Sequence, residues 1–104
     1  MARNDATEGS VASAAAPMCA PPDSHLRKPR LALPPLSCDC HAHICGPASV
    51  YQYSPDRIYT PPDALLPDYL KMLSILGVER GVLIQPSVYG ADNAVMIEAL
   101  AKAG

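Results

Sequence analysis

His41 and His43, separated by one residue, follow an aspartate at Asp39 within the segment 38–47, CDCHAHICGP. Side chains on an extended backbone alternate between faces, so a strand here places Asp39, His41 and His43 on one side. Cys38, Cys40 and Ala42 fall on the other. Imidazoles and a carboxylate gathered on one face at a strand end suit either a metal-assisted or an acid/base site. Taken alone, two strand histidines satisfied by ordinary hydrogen bonds explain the pattern equally well. Gly46-Pro47 then stops the strand and opens a loop.

Cysteine offers a second chemistry, because Cys38, Cys40 and Cys45 crowd the same segment. A small zinc knuckle shared with the histidines is opposed by the alternation, which turns thiols and imidazoles to opposite faces. No second ligand pair follows at zinc-finger spacing. Burial as small apolar side chains is the simpler role for Cys38 and Cys40. Among hydroxyls, Ser87 follows Gln85-Pro86 in a turn, where serine is common for local reasons. Tyr69 belongs to an apolar helical face and reads as core. Arg57 reads as a loop arginine paired with Asp56 or Asp63.

The elements that must position these groups follow from periodicity. Leu66, Tyr69, Leu70, Leu73 and Leu76 share one face at helical spacing, with Pro67 in the first turn and Gly77 as the stop. Thr60 and Asp63 have the spacing of a capping box, with aspartate in place of glutamate. The run 81–85, GVLIQ, is short and continuously apolar, as in a parallel strand buried on both faces. A second helix is expected over about 93–102, with Val95, Met96, Ala99 and Leu100 on its apolar side and Asp92-Asn93 as its cap. The order is β-α-β-α, with connections suited to parallel crossovers. Sites in such folds gather at the C-terminal ends of strands, where His41, His43 and Ser87 lie.

Composition limits the rest. The 104 residues include 12 prolines, no Phe and no Trp, so the large side chains that dominate core burial are scarce. Residues 1–35 read as a disordered leader rich in alanine and proline, and order is expected over 36–104. A net charge of −2 gives no reason to expect nucleic acid or an anionic membrane as partner. No apolar run approaches a membrane span, and 11–20 makes a poor secretory signal. Four cysteines without a plausible disulfide framework suit the cytoplasm. Two strands that read as buried, with at least one edge bare, are expected to form the front of a larger barrel or open sheet.

A succession of motifs carries a resemblance. Asp39-Cys40-His41-Ala42-His43, Gly46-Pro47, Arg57-Ile58-Tyr59-Thr60-Pro61, Leu76-Gly77-Val78, Gly81-Val82-Leu83-Ile84-Gln85-Pro86-Ser87, Tyr89-Gly90 and Asp92-Asn93 together resemble the amidohydrolase-related family. Within it they are most similar to the 2-pyrone-4,6-dicarboxylate lactonase-like branch. The resemblance covers 37–104. It implies an α/β fold, the first two β/α units of a (β/α)8 TIM barrel, here incomplete. The implied activity is hydrolysis of a small-molecule lactone or related carbonyl compound. His41 and His43 match the histidine pair of the first strand, which binds a divalent metal such as zinc in much of the superfamily. In the lactonase branch no metal is required, and the pair polarises the substrate carbonyl. Tyr59 and Ser87 match substrate-contacting positions. Tyr89 and Cys45 depart from the family, which commonly has a smaller residue at the first position and an aromatic one at the second. The family's general base, an aspartate of the last strand, would lie beyond Gly104, so the 104 residues alone are expected to be inactive. The alternative function is a small non-catalytic zinc- or partner-binding module built on CDCHAHIC.

Overall fold

The computed structural model describes residues 16–104. Of the leader expected over 1–35, residues 1–15 lie outside the described residues. Residues 16–35 form no helix, yet they are tied to the body of the chain. Thr60 donates its amide to Pro17 O at 2.7 Å and accepts the Cys19 amide at 2.9 Å, which makes a parallel bridge between Met18 and Thr60.

Four elements follow: β1 (Cys38–Ala42), α1 (Leu66–Leu76), β2 (Arg80–Leu83) and α2 (Ala94–Ala103), with a 3-10 turn at Ser87–Tyr89 between the last two. The strands pair in parallel, Cys38 opposite Arg80 and Asp39 opposite Gly81. A helix must therefore carry the chain back between them, and α1 does so. Its limits obey local chemistry. Proline occupies the first turn, where a missing amide costs nothing, and Gly77 closes the helix in the left-handed region at φ 78°. The expected capping box does not form. The N-cap is Leu65, whose apolar side chain cannot cap, and the Asp63 carboxylate accepts the Ala48 amide at 3.0 Å.

Two expectations about burial need correction. β2 was expected to be buried on both faces, but Arg80, Gly81 and Val82 are exposed and only Leu83 is partly covered. A two-stranded sheet has too few neighbours to cover both faces of either strand. Cys40 is likewise exposed, whereas Cys45 is buried.

The core lies beyond the strand ends. Ile44, Cys45, Val88, Tyr89, Val95 and Ala99 form it, with Tyr51, Tyr53, Tyr59, Leu66, Tyr69 and Leu83 packed around. Val88 is wholly buried. The second apolar helix face is thus half used: Val95 and Ala99 point inward, while Leu100 stays exposed. Asp92, rather than Asn93, supplies the polar contact at the start of α2, accepting the Ala94 amide at 3.0 Å. Among the described residues no helix is long and apolar enough to cross a membrane.

The loop 46–63 is closed at its base by two reciprocal backbone bonds between Cys45 and Ala64, of 2.9 and 2.7 Å. Tyr89 joins this base to the turn after β2, since its hydroxyl accepts the buried Gly46 amide at 2.7 Å. Its ring lies 5.3 Å from that of Tyr53. Tyr89→Phe keeps the ring but leaves the Gly46 amide without its acceptor. The expected cost is about 1–3 kcal/mol, read by denaturant unfolding, and an unchanged midpoint would refute this role.

Candidate active site

His41 is the fourth residue of β1, and His43 follows the strand directly. Their rings meet edge to face, with centroids 5.0 Å apart and planes at 86°. Both are exposed, so the pair faces open space at the C-terminal end of the strand. The two imidazoles are brought together as the spacing suggests, but strict alternation does not produce the arrangement. The register slips between Asp39 and Ala42, where β1 spends one residue more than β2, so His41 lies within a bulge.

The two rings are held differently. His43 Nδ1 lies 2.9 Å from Ile84 O. A carbonyl oxygen only accepts, so Nδ1 carries the hydrogen and the neutral ring presents a lone pair at Nε2. The His41 ring has no hydrogen-bond partner among the described residues. Its backbone amide instead donates to Asp39 Oδ1 at 3.1 Å. The other carboxylate oxygen of Asp39 accepts the Tyr69 hydroxyl at 3.0 Å.

Asp39 is thereby committed to Tyr69 and to the His41 amide, and it does not complete a cluster with the imidazoles. Among the described residues no three His, Cys, Asp or Glu side chains come together as ligands for an ion. A closed zinc site takes four donors, and even an open one takes three from protein. The pair does not by itself fit a resident metal. The thiols do not join it either: Cys38 Sγ is 3.6 Å from Asp39 O, and Cys40 Sγ is 3.7 Å from Cys38 O.

The remaining predicted residues make no hydrogen bond to the two rings among the described residues. Tyr59 packs on the core, and its hydroxyl has no hydrogen bond among the described residues. Ser87 opens the turn after β2 and is exposed, with a hydroxyl in the same condition. No direct hydrogen bond links either to an imidazole. Arg57 is engaged within its own loop, donating to Thr60 Oγ1 and Ser54 O at 3.1 Å each and lying over the Tyr53 ring.

Sequence reasoning missed three contributors. Tyr69 read as core, yet its hydroxyl reaches Asp39. Ile84 read as a strand residue, yet its carbonyl orients His43. The leader segment read as disordered, its basic cluster 25–30 as a solvated linker rather than a docking patch. Pro21 and Leu26 nonetheless line a cavity of about 320 Å³ together with His43, Asp68, Tyr69 and Lys71.

Residues 38–104 match the family described as Amidohydrolase. The chain is 43% identical over 84 residues to the 4-sulfomuconolactone hydrolase of Hydrogenophaga intermedia, across 81% of this chain and 28% of that protein. The enzyme of the same name from Rhizobium radiobacter matches to the same extent. The 2-pyrone-4,6-dicarboxylate hydrolase of Comamonas testosteroni is 36% identical over 77 residues, across 74% of this chain and 25% of that protein. The chain spans about a quarter of the length of these relatives.

Burial first, and then the Asp39 carboxylate, push the Tyr69 phenol from its ordinary 10.0 up to about 12. The folded state therefore favours the neutral phenol. That contribution is complete below pH 10 and is lost as pH rises through 10 to 12. Thermal melts across this window are expected to fall less steeply for Tyr69→Phe than for the wild type. Parallel curves would show that the phenol contributes nothing.

Proposed function

The chain belongs to the amidohydrolase family, among lactonase-like relatives, and from that premise we propose that it forms the carbonyl-binding part of a lactone hydrolase. The observation that carries this reading is the edge-to-face pair His41–His43 at the C-terminal end of the first strand of the family-matched segment. In the proposed reaction water adds to the lactone carbonyl carbon, and the ring C–O bond then breaks to leave a hydroxyl and a carboxylate, one proton of the water passing to the ring oxygen and the other to solvent. Negative charge gathers on the carbonyl oxygen as water attacks, so donors fixed around that oxygen lower the barrier. His41 can donate in either protonation state, because neither ring nitrogen is tied down. His43 has its Nδ1 hydrogen engaged by Ile84, so it donates from Nε2 only as the imidazolium. Tyr59 and Ser87 hold the substrate, each through a hydroxyl that the described residues leave open.

The relatives act on a sulfonated lactone and on a dicarboxylated pyrone, as their names state. The substrate class proposed here is accordingly a small lactone bearing anionic groups, with neither nucleic acid nor membrane as partner. The two β/α units are read as the first two of a (β/α)8 barrel preceded by a leader over 1–35. The parallel β1–β2 pair supports this, as do the uncovered faces of β2. Four free thiols accord with a cytoplasmic setting. No observation favours the alternative of a zinc- or partner-binding module, for which Cys38, Cys40, His41 and His43 would have to converge.

Purified whole protein is to be assayed with 4-sulfomuconolactone and with 2-pyrone-4,6-dicarboxylate, following ring opening by absorbance. Turnover of one of them is expected, and turnover of neither would sink the reading. His41→Asn and His43→Asn should each lower kcat by about 10²–10⁴. Both rings are exposed, so the unfolding midpoint should scarcely move. The 104 residues alone are expected to open neither lactone.

A further inference from the structure

We infer that Tyr69 is a positioning residue for His41, acting through Asp39 across the gap left by Gly81. The inference rests on the reading that His41 faces the substrate. Three independent features converge on it.

The first is a chain of hydrogen bonds. The Tyr69 hydroxyl donates to Asp39 Oδ2 at 3.0 Å, and Asp39 Oδ1 accepts the His41 amide at 3.1 Å. Both carboxylate oxygens are used, one by α1 and one by the residue to be positioned. With the second bond alone the carboxylate would be held only by its own strand and could rotate about its side-chain bonds. The first bond fixes it to the helix.

The second is the bulge. An extra residue in one strand is left without a ladder partner, and its backbone can point more than one way. The slip falls between Asp39 and Ala42, and His41 lies inside it. The Asp39 carboxylate takes up the His41 amide where the ladder is interrupted. The direction of the His41 ring then depends on where Asp39 is held. His43 needs no such device, because Ile84 O holds its ring directly.

The third is Gly81. It sits opposite Asp39 in the ladder. A Cβ placed there would collide with the Tyr69 hydroxyl and come within 3.2 Å of its ring carbon Cζ. Any other residue at 81 would push the phenol off the path to Asp39. The φ of Gly81 is not in the left-handed region, so the backbone makes no demand for glycine here. The demand comes from the phenol.

The test uses whole protein labelled with 15N-histidine, in which this sequence contributes His25, His41 and His43. The readouts are the amide exchange rate and the backbone and ring shifts of each histidine, with the unfolding midpoint alongside. Tyr69→Phe keeps the packing and removes only the hydroxyl. It is expected to raise the His41 amide exchange rate about tenfold or more, as for loss of a charged hydrogen bond, and to move the His41 ring signals. His25 should not change. Gly81→Ala should reproduce the effect with Tyr69 intact, and should add little once position 69 is Phe. If Tyr69→Phe fails to fold, Gly81→Ala supplies the same readout. An unchanged His41 amide in a folded variant would overturn the inference and leave Tyr69 as a packing residue. Lactone turnover is read separately. Its absence would refute the proposed reaction, whereas the His41 amide alone decides the positioning.

Discussion

The hydrogen bond from the Gly46 amide to the Tyr89 hydroxyl is the joint on which this structure turns. It links the exit of β1 to the turn after β2, two places separated by an entire β/α crossover. Around it collect Ile44, Cys45, Val88 and the inner face of α2. Without Phe or Trp, tyrosine must supply the bulk that a core needs, and its hydroxyl must then find a partner. Tyr53 meets the same demand at Pro61 O, at 3.0 Å. Burial is the leading reason that its phenol is pushed up to about 12. The polar ends of the aromatic core thus fasten the loop that the apolar ends pack against.

Local chemistry was legible in the sequence, and tertiary choices were less so. Pro67 and Gly77 marked the limits of α1 because each acts within a single turn of helix. The parallel order of β1 and β2 followed from the crossover between them. Asp63 went astray because two donors compete for one acceptor: a carboxylate at capping distance can equally serve a loop amide, and the Ala48 amide won. β2 went astray because an apolar run reports what a strand would bury, and the described residues do not cover its faces. Tyr69 was placed correctly on the inner helix face, but period alone cannot say where a hydroxyl ends up. The signal lay in the glycine directly across the ladder from an aspartate.

For the histidines, spacing foretold proximity and missed the means. Period two would have put three side chains on a common face. The bulge instead withdraws Asp39 into a supporting position and leaves two imidazoles with unequal freedom. One is locked in a single tautomer by a main-chain carbonyl, and the other has an unbonded ring among the described residues, only its backbone amide being held by a carboxylate. A pair built this way is asymmetric before any substrate arrives.

The reciprocal bonds between Cys45 and Ala64 have a consequence for how such a protein can change over evolutionary time. They pin both ends of the loop 46–63 through main-chain atoms, which no substitution short of proline removes. The loop can accordingly lengthen, shorten or exchange side chains around its tip while β1 and its histidines stay where they are. Closure entropy grows slowly with loop length, so such changes cost little. Tyr59 lies on this loop, whereas His41 and His43 do not. Changes at the tip of the loop are thereby uncoupled from the position of the two rings.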